Sequence, residues 1–218
     1  MKQTLASIAG LLLLLNVASA KSWEPPTRDC SLTLPDVGWT FEPGGQVDHG
    51  EVLIACMNQE QTKSVNLLRF QVPPALSVHD PKFIEGTRDG FQKAGGHLLA
   101  EGHTNINGVL AYWIGGEGEI SGNKFQTIRY ALAKDGRLYL LIAENLEDAP
   151  TRDLEMVSII SSFHILGGSL LPPNKTINSK PLSYRIGQAT GCLLMIAIAL
   201  AVISKRRKVK QEKAGQGT

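Results

Sequence analysis

The segment from residue 97 to residue 145 most constrains the fold, because two turn signals divide it into strand-like pieces. Asn107-Gly108 and Asp135-Gly136 supply the positive φ angles that two-residue hairpin turns require. The pattern predicts four consecutive antiparallel strands, at residues 97–103, 109–115, 125–133 and 138–144. The glycine-rich stretch 115–118 is predicted to be a flexible hairpin loop between the second and the third strand.

The third of these strands indicates how the sheet is covered. Ile128, Tyr130 and Leu132 alternate with the polar residues Thr127 and Arg129. Because successive side chains of a strand point to opposite faces, this alternation predicts one buried face and one partly wet face.

Further strands and two helices flank this segment. Strands are predicted at residues 32–34, 39–41, 50–57 and 65–72. A helix is predicted to begin at Asp80 and Pro81 and to end at Gly95, and a second helix is predicted to start at Asp148 or Thr151. The order predicts an α+β domain in which an antiparallel sheet is covered by helices.

Two hydrophobic stretches lie at the ends of the chain. Residues 1–20 have a basic start, an apolar centre and the small-x-small ending Ala18-Ser19-Ala20, which predicts a cleaved signal peptide; an uncleaved anchor is the alternative. Residues 186–204 contain no charge and precede four basic residues, 205–208, which predicts one transmembrane helix; a buried core helix is the alternative.

These ends predict the organisation and the location of the protein. Residues 21–166 form the predicted extracytoplasmic domain, 167–185 a Pro- and Gly-containing flexible stalk, and 205–218 a basic cytoplasmic tail. Since the larger positive cluster stays in the cytoplasm, the protein is expected to be a single-pass cell-membrane protein with its domain outside.

The charge distribution argues against nucleic-acid binding. Without Lys2 and the six cations of the tail, 15 of the 22 basic residues remain in residues 21–204, together with 19 of the 20 acidic residues. The resulting net charge of −4 leaves no clustered cations for phosphate contacts, and no nucleic-acid partner is expected.

The cysteines and one polar strand are the candidate sites. Cys30 and Cys56 lie in the predicted exported domain, where an oxidising environment favours a disulfide; two separate buried thiols are the alternative. Glu101 and His103 share strand parity and are expected to form part of a solvated polar face; a metal site completed by a remote ligand is the less favoured alternative.

Two adjacent aromatic residues suggest a binding surface. Tyr112 and Trp113 are neighbours in a strand, so they face opposite sides of the sheet. One of them is expected in the core, and the other either belongs to a binding surface or packs under the opposite helix.

The whole pattern resembles a known fold family. A Trp39-Thr40-Phe41-Glu42-Pro43 opening is followed by two strands, a helix, the turns and aromatic strand described above, and a closing helix that ends in Ile-Ile-Ser-Ser-Phe. Over residues 30–166 this resembles the PsbP-like fold that is shared with the DcrB-type bacterial envelope proteins. The resemblance implies an α/β/α sandwich around an antiparallel sheet and a non-enzymatic binding or assembly role.

The sequence contains no Gly-x-Ser-x-Gly, His-Glu-x-x-His or phosphate-loop motif, and no enzyme activity or cofactor is expected. The main hypothesis is a membrane-anchored binding or assembly module whose partners are the lipid bilayer and an envelope protein. The alternatives are a carrier of a small apolar ligand or lipid, and a metal-assisted hydrolase that uses Glu101 and His103.

Overall fold

The structure, a computed structural model, describes residues 20–47, 50–120, 122–166, 184 and 186–188. The predicted signal peptide (apart from Ala20), most of the stalk, the part of the predicted span from residue 189 onward and the basic tail lie outside these residues. Within the described residues the elements in chain order are β1 (Ala20–Trp23), β2 (Cys30–Pro35), β3 (Trp39–Pro43), β4 (Gln46–Val47), β5 (Gly50–Asn58), β6 (Lys63–Gln71), α1 (Pro81–Lys93), β7 (His97–Ile106), β8 (Val109–Ile120), β9 (Asn123–Lys134), β10 (Arg137–Asn145), α2 (Leu154–Ser161) and β11 (His164–Ile165).

One large antiparallel sheet organises the domain, with the strand order β3-β5-β6-β10-β9-β8-β7 and with β4 paired to β5. The two predicted hairpin turns are confirmed, since Asn107, Gly108, Asp135 and Gly136 all have positive φ angles. The strands β7 to β10 therefore form the predicted meander.

A second, smaller sheet and α2 cover one face of the large sheet. The small sheet has the order β1-β2-β11, so the first and the last strand of the domain flank β2. Side chains of β2, α2 and the large sheet form a common buried cluster, the first core, which includes Leu32, Leu67, Tyr139 and Ile159.

Helix α1 covers the opposite face. Asp80 caps it by accepting a hydrogen bond from the backbone N–H of Lys82 at 2.8 Å, as predicted. Phe83 and Phe91 of α1 pack with residues such as Leu140 in a separate cluster, the second core. The α+β class with a mostly antiparallel sheet is confirmed.

Three details differ from the predictions. Residues 115–118 lie inside strand β8 rather than in a loop, because the ring of Phe91 packs where a Cβ of Gly116 would stand, 2.6 Å away. The second helix is capped by Asp153, whose carboxylate accepts from the backbone N–H groups of Glu155 and Met156. The predicted partly wet face of the third meander strand, β9, is buried instead: Thr127 and Arg129 are as buried as Ile128 and Leu132 on the other face.

Near the end of the described chain, Tyr184 and Ile186–Gln188 are helical and lie against α1. Among the described residues, no helix is both long and apolar enough to cross a membrane.

Candidate functional site

The edge strand β7 carries the first group of polar side chains. The carboxylate of Glu101 accepts from Nε of Arg88 at 2.6 Å and from the hydroxyl of Tyr112 at 2.7 Å, and Nη2 of Arg88 donates to its second oxygen. These contacts join α1 to β7 and β8. The hydrogen bonds from Arg88 hold the pKa of Glu101 below its usual value, so this carboxylate is ionised and already neutralised by its neighbour.

Two histidines lie beside this ion pair. The rings of His79 and His103 are 4.2 Å apart between centroids, and the ring of His103 lies 5.5 Å from that of Tyr112. Desolvation and the neighbouring His103 lower the pKa of His79. The described residues contain no group of three or more His, Cys, Asp or Glu side chains that could hold a metal ion, and the metal site at Glu101 and His103 stays a prediction.

The two aromatic residues of β8 divide between the core and the surface. Tyr112 is 2% exposed and packs edge-on against Phe83, so it does not belong to a binding surface. Trp113 is half-buried on the opposite face, where its ring lies over Gly102 of β7; a Cβ at Gly102 would stand 3.1 Å from Nε1 of Trp113. Trp113 is therefore a partly exposed aromatic side chain that covers part of the edge strand β7.

Strand β7 is one of the two edge strands of the large sheet, and it is the longer one. This strand has ten residues and ends the sheet, and no other described strand pairs with its outer side. Its pairing with β8 shifts register between Leu98 and Ala100, and the intervening Leu99 is 56% exposed. We call this surface, formed by β7 together with Trp113, the β7 edge.

A second polar group is buried on the α1 face of the large sheet. Glu144 is 5% exposed, and its Oε2 accepts from the hydroxyl of Ser64 at 3.2 Å. Its Oε1 and the hydroxyl of the neighbouring Thr127 are buried and have no hydrogen-bond partner among the described atoms. Burial raises the pKa of Glu144 to about 8, against the opposing charge of Arg129 and the Ser64 hydrogen bond, so the carboxyl is largely neutral at pH 7.

A small void lies next to this group. It is lined by Thr87, Tyr112, Ile114, Arg129, Tyr130, Ala131, Leu140 and Ile142, and its volume of about 10 Å³ has room for roughly one water molecule. The void therefore does not hold a lipid without rearrangement.

A third polar group ties the small sheet to the large one. Asp29 is fully buried and accepts hydrogen bonds from Thr27 (2.7 Å), Tyr139 (2.8 Å) and Nη1 of Arg69. Arg69 in turn donates through Nε to Glu51 at 3.0 Å. Although burial alone would raise it, the pKa of Asp29 is lowered by the hydrogen bonds from Thr27, Tyr139 and Arg69. The hydrogen bonds of this group run between its own members, and they hold the two sheets together.

Cys30 and Cys56 are both buried free thiols in the structure, so the predicted disulfide is not formed in it. Cys30 belongs to the small sheet and Cys56 to the large one. Burial raises the pKa of each thiol to about 12, so neither is a nucleophile at neutral pH.

Several of these residues could not be assigned from the sequence. Asp29, Arg69, Arg88 and Glu144 carry the polar contacts, yet their partners are distant in the chain and share no motif. The only sequence signal was the presence of charged residues inside apolar strand patterns, as for Arg69 in β6 and Glu144 in β10.

No protein-family model matches the chain, and no curated protein matches it. Three solved structures are distant folds of a related kind. A Bacteroides thetaiotaomicron protein has a TM-score of 0.45 at 9% identity, with 67% of this chain and 48% of that chain covered, so this chain spans about half its length.

LpqN of Mycobacterium tuberculosis, described as involved in cell envelope biogenesis, has a TM-score of 0.39 at 13% identity, with 66% of this chain and 87% of that chain covered. The protein PA94 of Pseudomonas aeruginosa has a TM-score of 0.38 at 13% identity, with 72% and 99% covered.

Proposed function

We propose that the protein is a non-enzymatic binding or assembly module, anchored in the cell membrane by residues 186–204 with its domain outside, that holds an envelope or membrane protein through the β7 edge. A membrane-bound protein that presents an open strand is suited to capturing an extended segment of a partner. Main-chain hydrogen bonds would supply affinity and the flanking side chains specificity.

The observation that carries this proposal is the length and accessibility of β7. A ten-residue edge strand with an exposed Leu99 is a template for pairing unless something covers it. Trp113 borders the same edge and offers a large, rigid apolar contact, which is typical of residues that dominate binding energy.

Two features support a binding role over a catalytic one. The ionised carboxylates Glu101 and Asp29 are both held by arginines, which leaves them poorly available as bases or metal ligands. The sheet lies between α1 and α2, which is the layering that membership of the PsbP-like and DcrB-type proteins implies. We include that membership in the proposal.

The test is photo-crosslinking in cells that produce the full chain at native level. A photo-reactive residue in place of Leu99 should give one reproducible crosslinked partner, and Leu99→Lys should reduce co-purification of that partner about tenfold or more, since one buried anchor is commonly worth over 1.4 kcal/mol. The matched control is Leu154 on α2, which is 85% exposed and remote from β7.

Crosslinks of equal yield from positions 99 and 154, or unchanged capture by Leu99→Lys, would contradict the proposal. Loss of the partner with Leu154→Lys instead would move the interface to α2.

The void beside Arg129 favours a second candidate, a carrier of a small apolar ligand. Its walls are mainly apolar, with Thr87 and Arg129 as polar contacts, so a ligand with one polar end could enter if α1 moved. Native mass spectrometry of the full chain released from detergent would detect such a ligand as a defined additional mass. Under the main proposal no such mass accompanies the protein.

A further inference from the structure

Strand β7 lacks the features that commonly protect an edge strand from pairing. Edge strands are often short, or they carry lysine or proline. Strand β3, at the other edge of the large sheet, has five residues and ends in Pro43. Strand β7 has ten residues without a lysine or a proline, and its one shift in register lies at Leu99, near its first residue. Residues 100–106 therefore form a regular edge with which no other described strand pairs.

The turn between β7 and β8 determines which backbone groups of this edge point outward. Asn107 and Gly108 both have positive φ angles, and the flanking residues Ile106 and Val109 are direct partners. In a two-residue turn of this kind the flanking pair is hydrogen-bonded. Because hydrogen-bonded and non-hydrogen-bonded pairs alternate along antiparallel strands, every second residue before Ile106 directs its N–H and C=O groups away from β8. These residues are Asn105, His103 and Glu101.

The side chains of these outward-bonding residues lie on the α1 face of the sheet. Glu101 accepts a hydrogen bond from Tyr112, and the ring of His103 lies 5.5 Å from that of Tyr112, which packs against Phe83 of α1. Gly102, between them, belongs to the opposite face. A strand added to β7 would continue this alternation, so its residue opposite Gly102 would place its side chain on the first-core face.

The first-core face of this edge has room for a large side chain. Gly102 has no side chain, and its neighbours on that face, Ala100 and Thr104, are small. A Cβ at Gly102 would stand 3.1 Å from Nε1 and 3.3 Å from Cζ2 of Trp113, so the indole ring extends over β7 toward the free edge. Glycine inside a strand often marks a place where another backbone approaches closely. A bulky apolar side chain opposite Gly102 would fill this space and contact the indole.

On the α1 face the edge offers no unpaired charge to a partner. Glu101 is the only acidic residue of β7, and its carboxylate is held by Nε of Arg88 at 2.6 Å. The side chain of Asn105 is also engaged, because its Oδ1 accepts from the N–H of Gly108 at 2.7 Å. A charged side chain placed here would lose water without gaining an opposite charge, so uncharged side chains fit this face best.

We propose that the partner adds an extended segment along residues 100–106, in which a bulky apolar residue opposite Gly102 stands between two uncharged residues opposite Glu101 and His103. This rests on the proposed function and specifies the chemistry of its partner. The backbone of the segment exchanges hydrogen bonds with the outward N–H and C=O groups of β7, and its apolar side chain packs on Trp113.

The first test sequences the contact itself. In cells that produce the full chain at native level, a photo-reactive residue in place of Leu99 is crosslinked, and the attached peptide is identified by mass spectrometry. Because the partner segment lies beside β7, the residues next to the crosslinked position should contain one bulky apolar residue between two uncharged ones. A contact segment without this pattern would overturn the inference.

Two matched glycine variants test the space beside Trp113. Gly102→Val fills it, so the crosslink yield from position 99 should fall about tenfold, as for the loss of one anchor residue. Gly115→Val adds the same side chain to the same face one strand further in, where a Cβ would stand 3.6 Å from Cζ3 of Trp113, an ordinary contact. That variant should keep the yield within about twofold.

Two substitutions at one position test the main-chain hydrogen bonds. His103→Pro removes an N–H group that points away from β8, so the pairing with β8 keeps its hydrogen bonds. His103→Ala removes the same side chain and keeps the N–H group. The proline variant should therefore give at most about a third of the crosslink yield of the alanine variant.

The outcomes separate this inference from the function on which it rests. Equal crosslinking from positions 99 and 154 overturns the proposed function and this inference together. A partner that is captured at position 99 with equal yields from the two valine variants, or with equal yields from the two His103 variants, overturns the inference alone. If His103→Pro loses its folded circular dichroism spectrum, the valine variants and the sequence of the contact segment decide.

Discussion

Asp29 and Glu144 are both buried carboxyl groups on opposite faces of one sheet, yet their pKa values are shifted in opposite directions. Asp29, on the first-core face, accepts hydrogen bonds from Arg69, Tyr139 and Thr27, and its pKa is lowered. Glu144, on the α1 face, has one weak hydrogen bond from Ser64, and its pKa is raised to about 8. The number of donors around a buried carboxyl thus decides whether it stays ionised or becomes neutral.

The two groups also differ in what they do for the fold. The Asp29 group spans the small and the large sheet, so it holds two layers together. Glu144 and its neighbours belong to strands that are already paired. We therefore expect substitutions in the Asp29 group to lower the free energy of unfolding and substitutions in the Glu144 group to raise it.

The largest effect is expected from Asp29→Ala. Removing the carboxylate leaves the charge of Arg69, whose side chain is 10% exposed, without its main buried counter-charge. Breaking a buried pair in this way costs about 3–5 kcal/mol. Thermal unfolding of the full chain in mild detergent, followed by near-ultraviolet circular dichroism, should show a melting temperature lower by on the order of 10 °C. A loss of only one or two degrees would mean that Glu51 suffices to hold Arg69.

Glu144→Gln tests the other carboxyl through its pH dependence. Since the folded pKa of about 8 lies above the ordinary value of 4.5, the folded state holds a proton that the unfolded chain releases, and stability falls as the pH rises from about 4.5 to 8. Glutamine carries no such proton. The variant should match the wild type near pH 4.5 and exceed it by on the order of 4 kcal/mol near pH 8.

For this second prediction the readout is the difference between the two stability–pH curves. Parallel curves for wild type and Glu144→Gln would show that folding does not raise the pKa of Glu144, which would contradict the prediction.

A pair of identical substitutions sharpens the contrast between the two faces. The Thr27 hydroxyl donates to Asp29 and accepts from Nη1 of Arg69, both at 2.7 Å, so Thr27→Val should cost about 1–2 kcal/mol. The hydroxyl of Thr127 is buried without a partner among the described atoms, so Thr127→Val should add about 1 kcal/mol. If the two substitutions changed the melting temperature in the same direction, the expected difference between the two faces would be contradicted.

The smallest effect is expected from a reductant. If Cys30 and Cys56 are free thiols, as in the structure, a thiol-free reductant leaves the melting temperature of the wild-type chain unchanged. A disulfide that closed this loop would add about 3–4 kcal/mol, and its reduction would lower the melting temperature by several degrees. Such a drop would show that a covalent bond assists the Asp29 group on the first-core face.

The sequence predicted the meander better than it predicted the polar contacts. The turns at Asn107-Gly108 and Asp135-Gly136 are local, so four residues suffice to place them. The glycines of residues 115–118 were misread as a loop because glycine propensity ignores the ring of Phe91, which packs on Gly116. Likewise the small sheet was missed, since β1 and β11 have only four and two residues and gain their stability from distant partners.

The candidate sites show the same limit. Strand parity correctly placed Tyr112 and Trp113 on opposite faces, but it could not tell which of them is buried. Arg88 contacts Glu101 only when α1 packs on the sheet, and no local sequence pattern predicts that contact. Side-chain chemistry between remote elements depends on the completed packing.

The position of β2 between β1 and β11 has a consequence for the timing of folding. The N–H of Thr33 donates to the hydroxyl of Ser162 across 129 residues, and His164 and Ile165 pair with Ser31 and Cys30. A contact of such sequence separation forms late, because a long loop must close first. At synthesis rates of about 5–20 residues per second, the amino-terminal strands wait on the order of ten seconds for β11 to emerge. We expect the chain to remain protease-sensitive during this interval, which pulse proteolysis of chains stalled before and after Ile165 would measure.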